Sequence, residues 1–251
     1  MIRASDVIGY VEGLLVLRAL RRGRGPFAGR TVVVTGAGSG AGRAVARAFG
    51  AQGARVALPA RHRAGLEAVA GEVRRAGGEA LVVPVDPAVP RWADEAADRI
   101  AARFGPPDVW VNAAFGPGLA PFPEATCPGR VDGTRAALRH MLPYDAGTVV
   151  QVGPAPHGEA HAVDGFTEAV RRGLLRRRSR VAVTAVRLPA APGLRPEAVA
   201  RTVLRAARRP RRAEYRVRAL PDRYRARTGV AARRTGAPRR PWAPWPKVVT
   251  S

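Results

Sequence analysis

Short runs of β-branched residues alternate along the chain with longer stretches in which apolar residues recur every three or four positions. The short runs are typical of buried strands, and the longer stretches are typical of amphipathic helices. The pattern predicts strands over residues 31–35, 55–58, 80–85, 109–112, 148–152, 181–188 and, with a weaker pattern, 214–220. It predicts a helix that follows a glycine-rich turn and runs to about residue 52, and further helices over residues 66–75, 92–104, 134–141, 166–177 and 197–208.

This alternation indicates βαβ units, because a crossover helix must return the chain before the next parallel strand can begin. We therefore predict an α/β fold, a doubly wound, Rossmann-like parallel sheet in a three-layer αβα arrangement. We predict one domain over residues 29–220, since a chain of this length can bury a single large core. Residues 1–28 are predicted to form an amphipathic helix and a linker, and residues 221–251 an extended basic tail with proline and tryptophan.

The N-terminal segment has an apolar face at helical spacing, formed by Val7, Ile8, Val11, Leu14 and Leu15. We predict that this helix packs on the domain. The alternative is that residues 1–22 lie on a membrane surface. No window approaches 18 uninterrupted apolar residues, so the sequence does not predict a membrane-spanning helix.

The chain has a single cysteine, Cys127, which excludes an internal disulfide bond. A reducing compartment is the simpler interpretation, and we predict a cytoplasmic protein. If residues 1–22 lie on a membrane, the protein would be peripheral to that membrane.

The chain is strongly basic, with a formal net charge of +24. Of its 43 basic residues only Lys247 is a lysine, a pattern that suggests coding bias toward arginine. Most of the excess lies in residues 151–251, where a nucleic acid or an anionic membrane could bind. Few aromatic residues are interleaved with these arginines, so a nucleic-acid partner is not favoured.

A glycine-rich turn follows the first predicted strand and opens the first predicted helix. Residues 35–42 read Thr-Gly-Ala-Gly-Ser-Gly-Ala-Gly. Glycine permits a tight turn and a close approach of the backbone to a pyrophosphate, and the helix amino terminus offers free N–H groups to the phosphates. The candidate cofactor-binding residues here are Gly36, Ser39, Gly40 and Gly42.

The end of the second predicted strand contacts the adenosine ribose in such folds. A carboxylate there suits a free 2′-hydroxyl, whereas an arginine suits a 2′-phosphate. Here the strand is followed by Arg61 and by no acid, which favours NADP(H) over NAD(H). The alternative is that Arg61 is one more arginine in an arginine-rich chain.

Over residues 29–212 the sequence resembles the short-chain dehydrogenase/reductase family, through its Thr-Gly-x-x-x-Gly-x-Gly turn and through residues 111–114, which resemble the family's Asn-Asn-Ala-Gly stretch. The resemblance implies an oxidoreductase with an unidentified small-molecule substrate. It also implies cofactor contacts at Asp86, Asn112, Ala113 and Pro189. The family often assembles through the helices after its fourth and fifth strands, so an oligomer is an open expectation, although the first of these helices looks shortened here.

The residues that carry the family's chemistry are missing. The family places a serine at the end of its fifth strand and a Tyr-x-x-x-Lys pair on the next helix, where tyrosine transfers the proton. Here Pro154 stands at the serine position and Ala160 near the lysine position, and no tyrosine in the chain is followed four residues later by lysine. We therefore predict an NADP(H)-binding protein with lost or impaired catalysis, a pseudoenzyme.

Two alternatives stay open at this point. The first is an active NADP(H)-dependent carbonyl reductase or alcohol dehydrogenase that uses His157 or His161 as its acid, since a histidine titrates near neutral pH. The second is a basic protein that binds a nucleic acid or a membrane surface on a Rossmann scaffold. Glu159 lies between the two histidines, but we predict no metal site, because three ligands in one loop lack a supporting cluster.

Overall fold

The computed structural model describes residues 25–38, 40–61, 63–86, 89, 91–113, 123–154, 160–189 and 194–217. The chain divides into two units, Met1–Ala219 and Leu220–Ser251, and all of the second unit lies outside the described residues. The predicted N-terminal helix also lies outside them.

Seven strands alternate with six helices in the described residues. The strands are β1 (Thr31–Thr35), β2 (Arg55–Ala60), β3 (Glu79–Pro84), β4 (Val109–Asn112), β5 (Thr148–Pro154), β6 (Ala182–Leu188) and β7 (Glu214–Arg216). The helices are α1 (Gly40–Gly50), α2 (Arg63–Ala76), α3 (Trp92–Phe104), α4 (Pro123–Met141), α5 (Ala160–Arg176) and α6 (Pro196–Arg208), and a 3-10 turn at Leu142–Tyr144 follows α4.

The strands form one parallel sheet in the order β3-β2-β1-β4-β5-β6-β7. This order confirms the predicted doubly wound α/β fold. It reverses direction between β1 and β4, so the connections that leave these two strands run to opposite sides and open a crevice at their carboxyl ends.

Helices cover both faces of the sheet. Helices α1, α2 and α6 pack on one face, and α3, α4 and α5 pack on the other. The three central residues of β1 are all apolar because both faces of this strand are buried. Val32 and Val34 belong to the core under the first helical layer, while Val33 belongs to the core under the second. A strand that is buried on both faces does not show the alternation of apolar and polar residues that marks a half-exposed strand.

The boundaries of several elements differ from the sequence prediction, and three of these differences bear on the site. Helix α4 begins at Pro123 rather than at Thr134, so the prediction that this helix is shortened was wrong. Glycine at 129 and 133 weakens the helical pattern. The fold nevertheless needs Gly133, because a Cβ there would lie 2.5 Å from the side-chain oxygen of Asn112. Strand β5 continues to Pro154, and α5 begins at Ala160 rather than Phe166.

Candidate functional site

The turn between β1 and α1 has the stereochemistry that its glycines suggest. Gly36 adopts a left-handed conformation with φ of 69°, which L-residues rarely adopt. A Cβ on Gly42 would lie 2.1 Å from the carbonyl oxygen of Gly36. Because that oxygen belongs to the backbone, the turn and the first helical turn of α1 can pack together only if residue 42 is glycine.

The outer side of this turn is open. A Cβ on Gly38 or Gly40 would meet no described atom within 4 Å. Gly40 begins α1 and has a φ of 56°, and Ser39 lies outside the described residues. The turn therefore combines a tightly packed inner side with an accessible outer side at a helix amino terminus, which is the arrangement that a pyrophosphate requires.

Thr35 and Ala113 join the carboxyl ends of β1 and β4 beside this turn. The Thr35 hydroxyl oxygen accepts a hydrogen bond from the backbone N–H of Ala113 at 3.2 Å. Both residues are buried. This bond positions the start of the β4 loop at the point where strand order reverses, so Ala113 borders the crevice in which the fold binds its ligands.

Arg61 directly follows β2 and is exposed. It forms no ion pair with any residue that the structure describes. Arg43, which follows the glycine turn, is engaged elsewhere: its guanidinium pairs with Glu72 of α2, and it holds the pKa of that carboxyl below its ordinary value. Asp86 lies two residues beyond the end of β3 and is exposed. Arg61 is therefore the cation available at the end of β2.

The side chain of Asn112 forms hydrogen bonds with other buried side chains of the protein. Its side-chain oxygen accepts a hydrogen bond from the indole N–H of Trp110 at 2.9 Å, and its amide nitrogen donates to the hydroxyl of Thr134 at 3.1 Å. Gln151 on the neighbouring strand donates to the same hydroxyl at 2.7 Å. All four side chains are buried. The side chain of Asn112 thus fastens β4 to α4, and this role was not foreseen from the sequence.

Neither of the last two residues of β5, Gly153 and Pro154, has a side chain that donates a proton. The strand ends with Gly153 and the exposed Pro154, whose nitrogen carries no hydrogen. Helix α5 begins at Ala160, so residues 155–159 form the whole connection. His157 and Glu159 lie outside the described residues, as does the side chain of His161. Pro189 follows the end of β6 and is half-buried.

Arg130 is the residue at this edge that sequence reasoning missed. It lies on α4, is only 6% exposed, and donates from Nη2 to the carbonyl oxygen of Val152 at 2.6 Å. A permanently charged guanidinium therefore lies beneath the end of β5. No sequence signal distinguished this arginine from the others in the chain.

A cluster of charged side chains links the start of α5 to the end of β6. Arg187 contacts Asp164 at 2.6 Å and Glu214 of β7 at 3.3 Å. The side chains of Arg187 and Asp164 are only 15% and 21% exposed, so water screens their ion pair weakly. Hydrogen bonds from Arg216 and Arg187 lower the pKa of Glu214, so it stays charged and completes the cluster. These contacts join the first part of α5 to β6 and β7.

Within the described residues no group of three or more histidine, cysteine, aspartate or glutamate side chains is arranged to hold a metal ion. None of their helices has both the length and the apolar character needed to cross a membrane.

Solved structures share this fold. A metagenomic short-chain oxidoreductase in complex with NADP matches with a TM-score of 0.65 and 27% identity, over 77% of this chain and 98% of that one. A short-chain dehydrogenase/reductase from Burkholderia phymatum in complex with NAD matches with a TM-score of 0.66, over 76% of this chain and 89% of that one. At 20% identity the second likeness concerns the fold alone.

Curated proteins with similar sequences are also dehydrogenases or oxidoreductases by name. A short chain dehydrogenase of Pseudocercospora fijiensis is 33% identical over 165 residues, covering 57% of this chain and 53% of that protein. The uncharacterized oxidoreductase YxnA of Bacillus subtilis is 30% identical over 182 residues, covering 62% of this chain and 51% of that protein. The chain thus spans about half the length of these curated relatives.

The family model described as short chain dehydrogenase matches residues 30–156, slightly more than half of the chain. The match begins one residue before β1 and continues through the glycine turn and the whole of β5. The chain belongs to the short-chain dehydrogenase/reductase family.

Proposed function

We propose that this protein binds NADP(H) at the turn between β1 and α1 and that its oxidoreductase activity is lost or impaired. The observation that carries the proposal is the connection between β5 and α5, in which only residues 155–159 separate Pro154 from Ala160. The family pattern draws its serine, tyrosine and lysine from this region, and residues 154–161 contain none of the three.

The residues around the turn fit a dinucleotide. Packing against Gly36 leaves no room for a side chain at Gly42, while the outer side at Gly38 is open. The N–H groups at the start of α1 and the positive end of its dipole suit a pyrophosphate. Arg61 at the end of β2 would pair with a 2′-phosphate, and this is the support for NADP(H) over NAD(H). A bound nicotinamide dinucleotide would supply hydride exchange with a substrate carbon.

The remaining chemistry must come from the protein, and the described residues supply little of it. Reduction of a carbonyl needs a proton at the oxygen, and a positioned acid contributes about 10²–10⁴-fold in rate. Pro154 offers no proton from its side chain or its backbone. The guanidinium of Arg130 can hold negative charge but does not release a proton near neutral pH. We expect cofactor binding without turnover typical of the family.

Two measurements on the purified full-length protein test the two halves of the proposal. Titration with NADPH and with NADH, followed by nicotinamide fluorescence, should give saturable binding that is tighter for NADPH. Incubation of the NADPH complex with a panel of aldehydes and ketones, and of the NADP⁺ complex with alcohols, should give no change in absorbance at the nicotinamide band beyond that without protein. Absence of binding would overturn the first half, and robust turnover would overturn the second.

If turnover is found, two variants locate the acid. Activity that disappears in His157→Ala or His161→Ala would assign proton transfer to that histidine and restore the active-reductase alternative. Activity that survives both substitutions would place the acid elsewhere in the chain.

A further inference from the structure

A groove of about 240 Å³ lies along the outer side of α1 and α6. Its floor consists of alanines, and three arginine or glutamate side chains stand around it. The lining residues are Ala44, Arg47, Ala48, Ala51, Ala76, Glu197, Ala200 and Arg201. Side chains as small as alanine let another helix approach closely, because the distance between packed helix axes depends on the side chains at the contact.

The groove does not resemble a small-molecule site. Such sites usually enclose about 300–1,000 Å³ and are lined by aromatic and large apolar side chains with convergent polar groups. This groove is smaller, has no aromatic side chain in its lining, and is formed by helices without any strand end. Side chains that project from a helix are occupants of a more suitable size and shape.

The chain itself enters the described structure at one end of this groove. Gly25 packs directly on Gln52, since a Cβ on Gly25 would lie 2.4 Å from the Gln52 carbonyl oxygen. Two residues later, Phe27 is buried against Phe49 of α1, with ring centroids 4.9 Å apart. Gln52 is the neighbour of Ala51, which lines the groove. Residues 1–24 are therefore attached beside the groove.

The attached segment is long enough to cross the whole groove. Residues 6–22 would span about 25 Å as a helix, and the eleven residues of α1 span about 16 Å. Residues 23–25 can extend over at most about 11 Å, so the carboxyl end of such a helix stays near Ala51. Its apolar face is formed by Val7, Ile8, Val11, Leu14 and Leu15.

We propose that residues 1–24 dock as an amphipathic helix into the groove between α1 and α6, with the apolar face on Ala44, Ala48 and Ala200. The attachment point favours this intramolecular occupant over a membrane, because a tethered segment meets a neighbouring surface at a high effective concentration. The docked helix would extend the layer formed by α1, α2 and α6.

Hydrogen exchange of the full-length protein, followed by mass spectrometry, tests the docking. Amides of residues 6–22 should exchange at least about tenfold more slowly than expected for an unstructured peptide. Ala48→Arg fills the groove with a long charged side chain and should abolish this protection. Leu14→Asp should do the same from the other side of the contact without altering the domain. Ala102→Arg is the matched control, since Ala102 is exposed on α3 in the opposite layer.

The proposal is supported if protection in buffer is lost in both groove variants and kept in the control. Fast exchange of residues 6–22 in buffer would overturn it, as would protection that Ala48→Arg leaves unchanged. A second measurement adds vesicles of phosphatidylcholine and phosphatidylglycerol. Protection that arises only with vesicles would assign the segment to an anionic membrane surface and would also overturn the intramolecular docking.

Discussion

The guanidinium of Arg130 lies against the α-carbon of Gly153, where any larger residue would place its side chain. A Cβ on Gly153 would be 2.5 Å from Nη2 and 3.0 Å from Nη1 of Arg130. The same Nη2 donates to the carbonyl oxygen of Val152. The buried guanidinium of Arg130 therefore fits at the end of β5 only because residue 153 has no side chain. This contact lies next to Pro154, which stands where the family pattern places its serine.

Replacement of Gly153 should test this dependence. Gly153→Ala should push the buried guanidinium away from the Val152 carbonyl and lower the free energy of unfolding by about 1–3 kcal/mol. In an Arg130→Met background the same change should cost less, because methionine can bend away. Urea unfolding of the four proteins measures the coupling between the two sites. Equal costs in both backgrounds would show that the two side chains do not compete for this space.

Substitutions at two glycines of the turn should distinguish a residue needed for folding from a residue needed only for cofactor binding. Gly42→Ala places a Cβ on the backbone of Gly36, so we expect a lower midpoint of thermal unfolding and loss of NADPH binding. Gly38→Ala meets no described atom within 4 Å, so this variant should unfold as the parent does. It should nevertheless bind NADPH more weakly, since its methyl group stands where the pyrophosphate would approach. Parent-like affinity in Gly38→Ala would place the phosphates elsewhere.

Arg61 should decide the preference between the two dinucleotides. If Arg61 binds the 2′-phosphate as proposed, Arg61→Asp removes a charge-assisted contact worth about 1.5–3 kcal/mol, which corresponds to roughly 10–150-fold in the Kd for NADPH. The Kd for NADH should change much less, because NADH lacks the 2′-phosphate. Arg103→Asp, an equal change of charge at the end of α3, controls for the net charge of the protein. Equal losses for both dinucleotides would exclude Arg61 from the 2′-phosphate site.

The hydroxyl of Thr134 should prove essential to the buried polar network. It accepts hydrogen bonds from Asn112 and Gln151 and donates to the carbonyl oxygen of Arg130. Thr134→Val keeps the shape and removes these bonds, so a buried donor loses its partner at a cost of about 1–3 kcal/mol in unfolding free energy. Thr134→Ser keeps the hydroxyl and should cost less. Chemical denaturation of both variants gives the comparison, and a valine variant as stable as the parent would contradict it.

Glu168 should make the stability of α5 depend on pH in the acidic range. Hydrogen bonds from Arg171 and Arg172 lower its pKa to about 2, from an ordinary value of 4.5. Because the folded protein binds this proton less readily than the unfolded chain, the stabilisation is complete above about pH 4.5 and disappears as the pH falls toward 2.

The matched variant is Glu168→Gln, which cannot ionise. The difference in unfolding free energy between the parent and this variant should be constant from pH 7 to pH 5 and should shrink between pH 4.5 and pH 2. Urea denaturation at a series of pH values measures it. A difference that does not change with pH would mean that the ion pairs of Glu168 contribute nothing to stability.

Elements with strong local patterns were predictable from the sequence. Helix α3 and strand β4 have the predicted bounds, Trp92–Phe104 and Val109–Asn112. The glycine turn was recognisable because its requirement is local: a left-handed residue at Gly36 and a missing side chain at Gly42 are both consequences of a tight strand-to-helix turn. The missing Tyr-x-x-x-Lys pair was equally visible, since a motif at fixed spacing can be searched for directly.

The sequence by itself determined the alternation of strands and helices, the position of the glycine-rich turn and the absence of the family's Tyr-x-x-x-Lys pair. Tertiary structure alone decided where α4 begins, that Arg130 is buried, and why Asn112 faces Thr134. Periodicity and turn stereochemistry are properties of neighbouring residues, so a sequence displays them. The hydrogen bond from Arg130 to Val152 joins residues 22 positions apart. It forms because α4 packs against the end of β5, and no local sequence pattern predicts that packing.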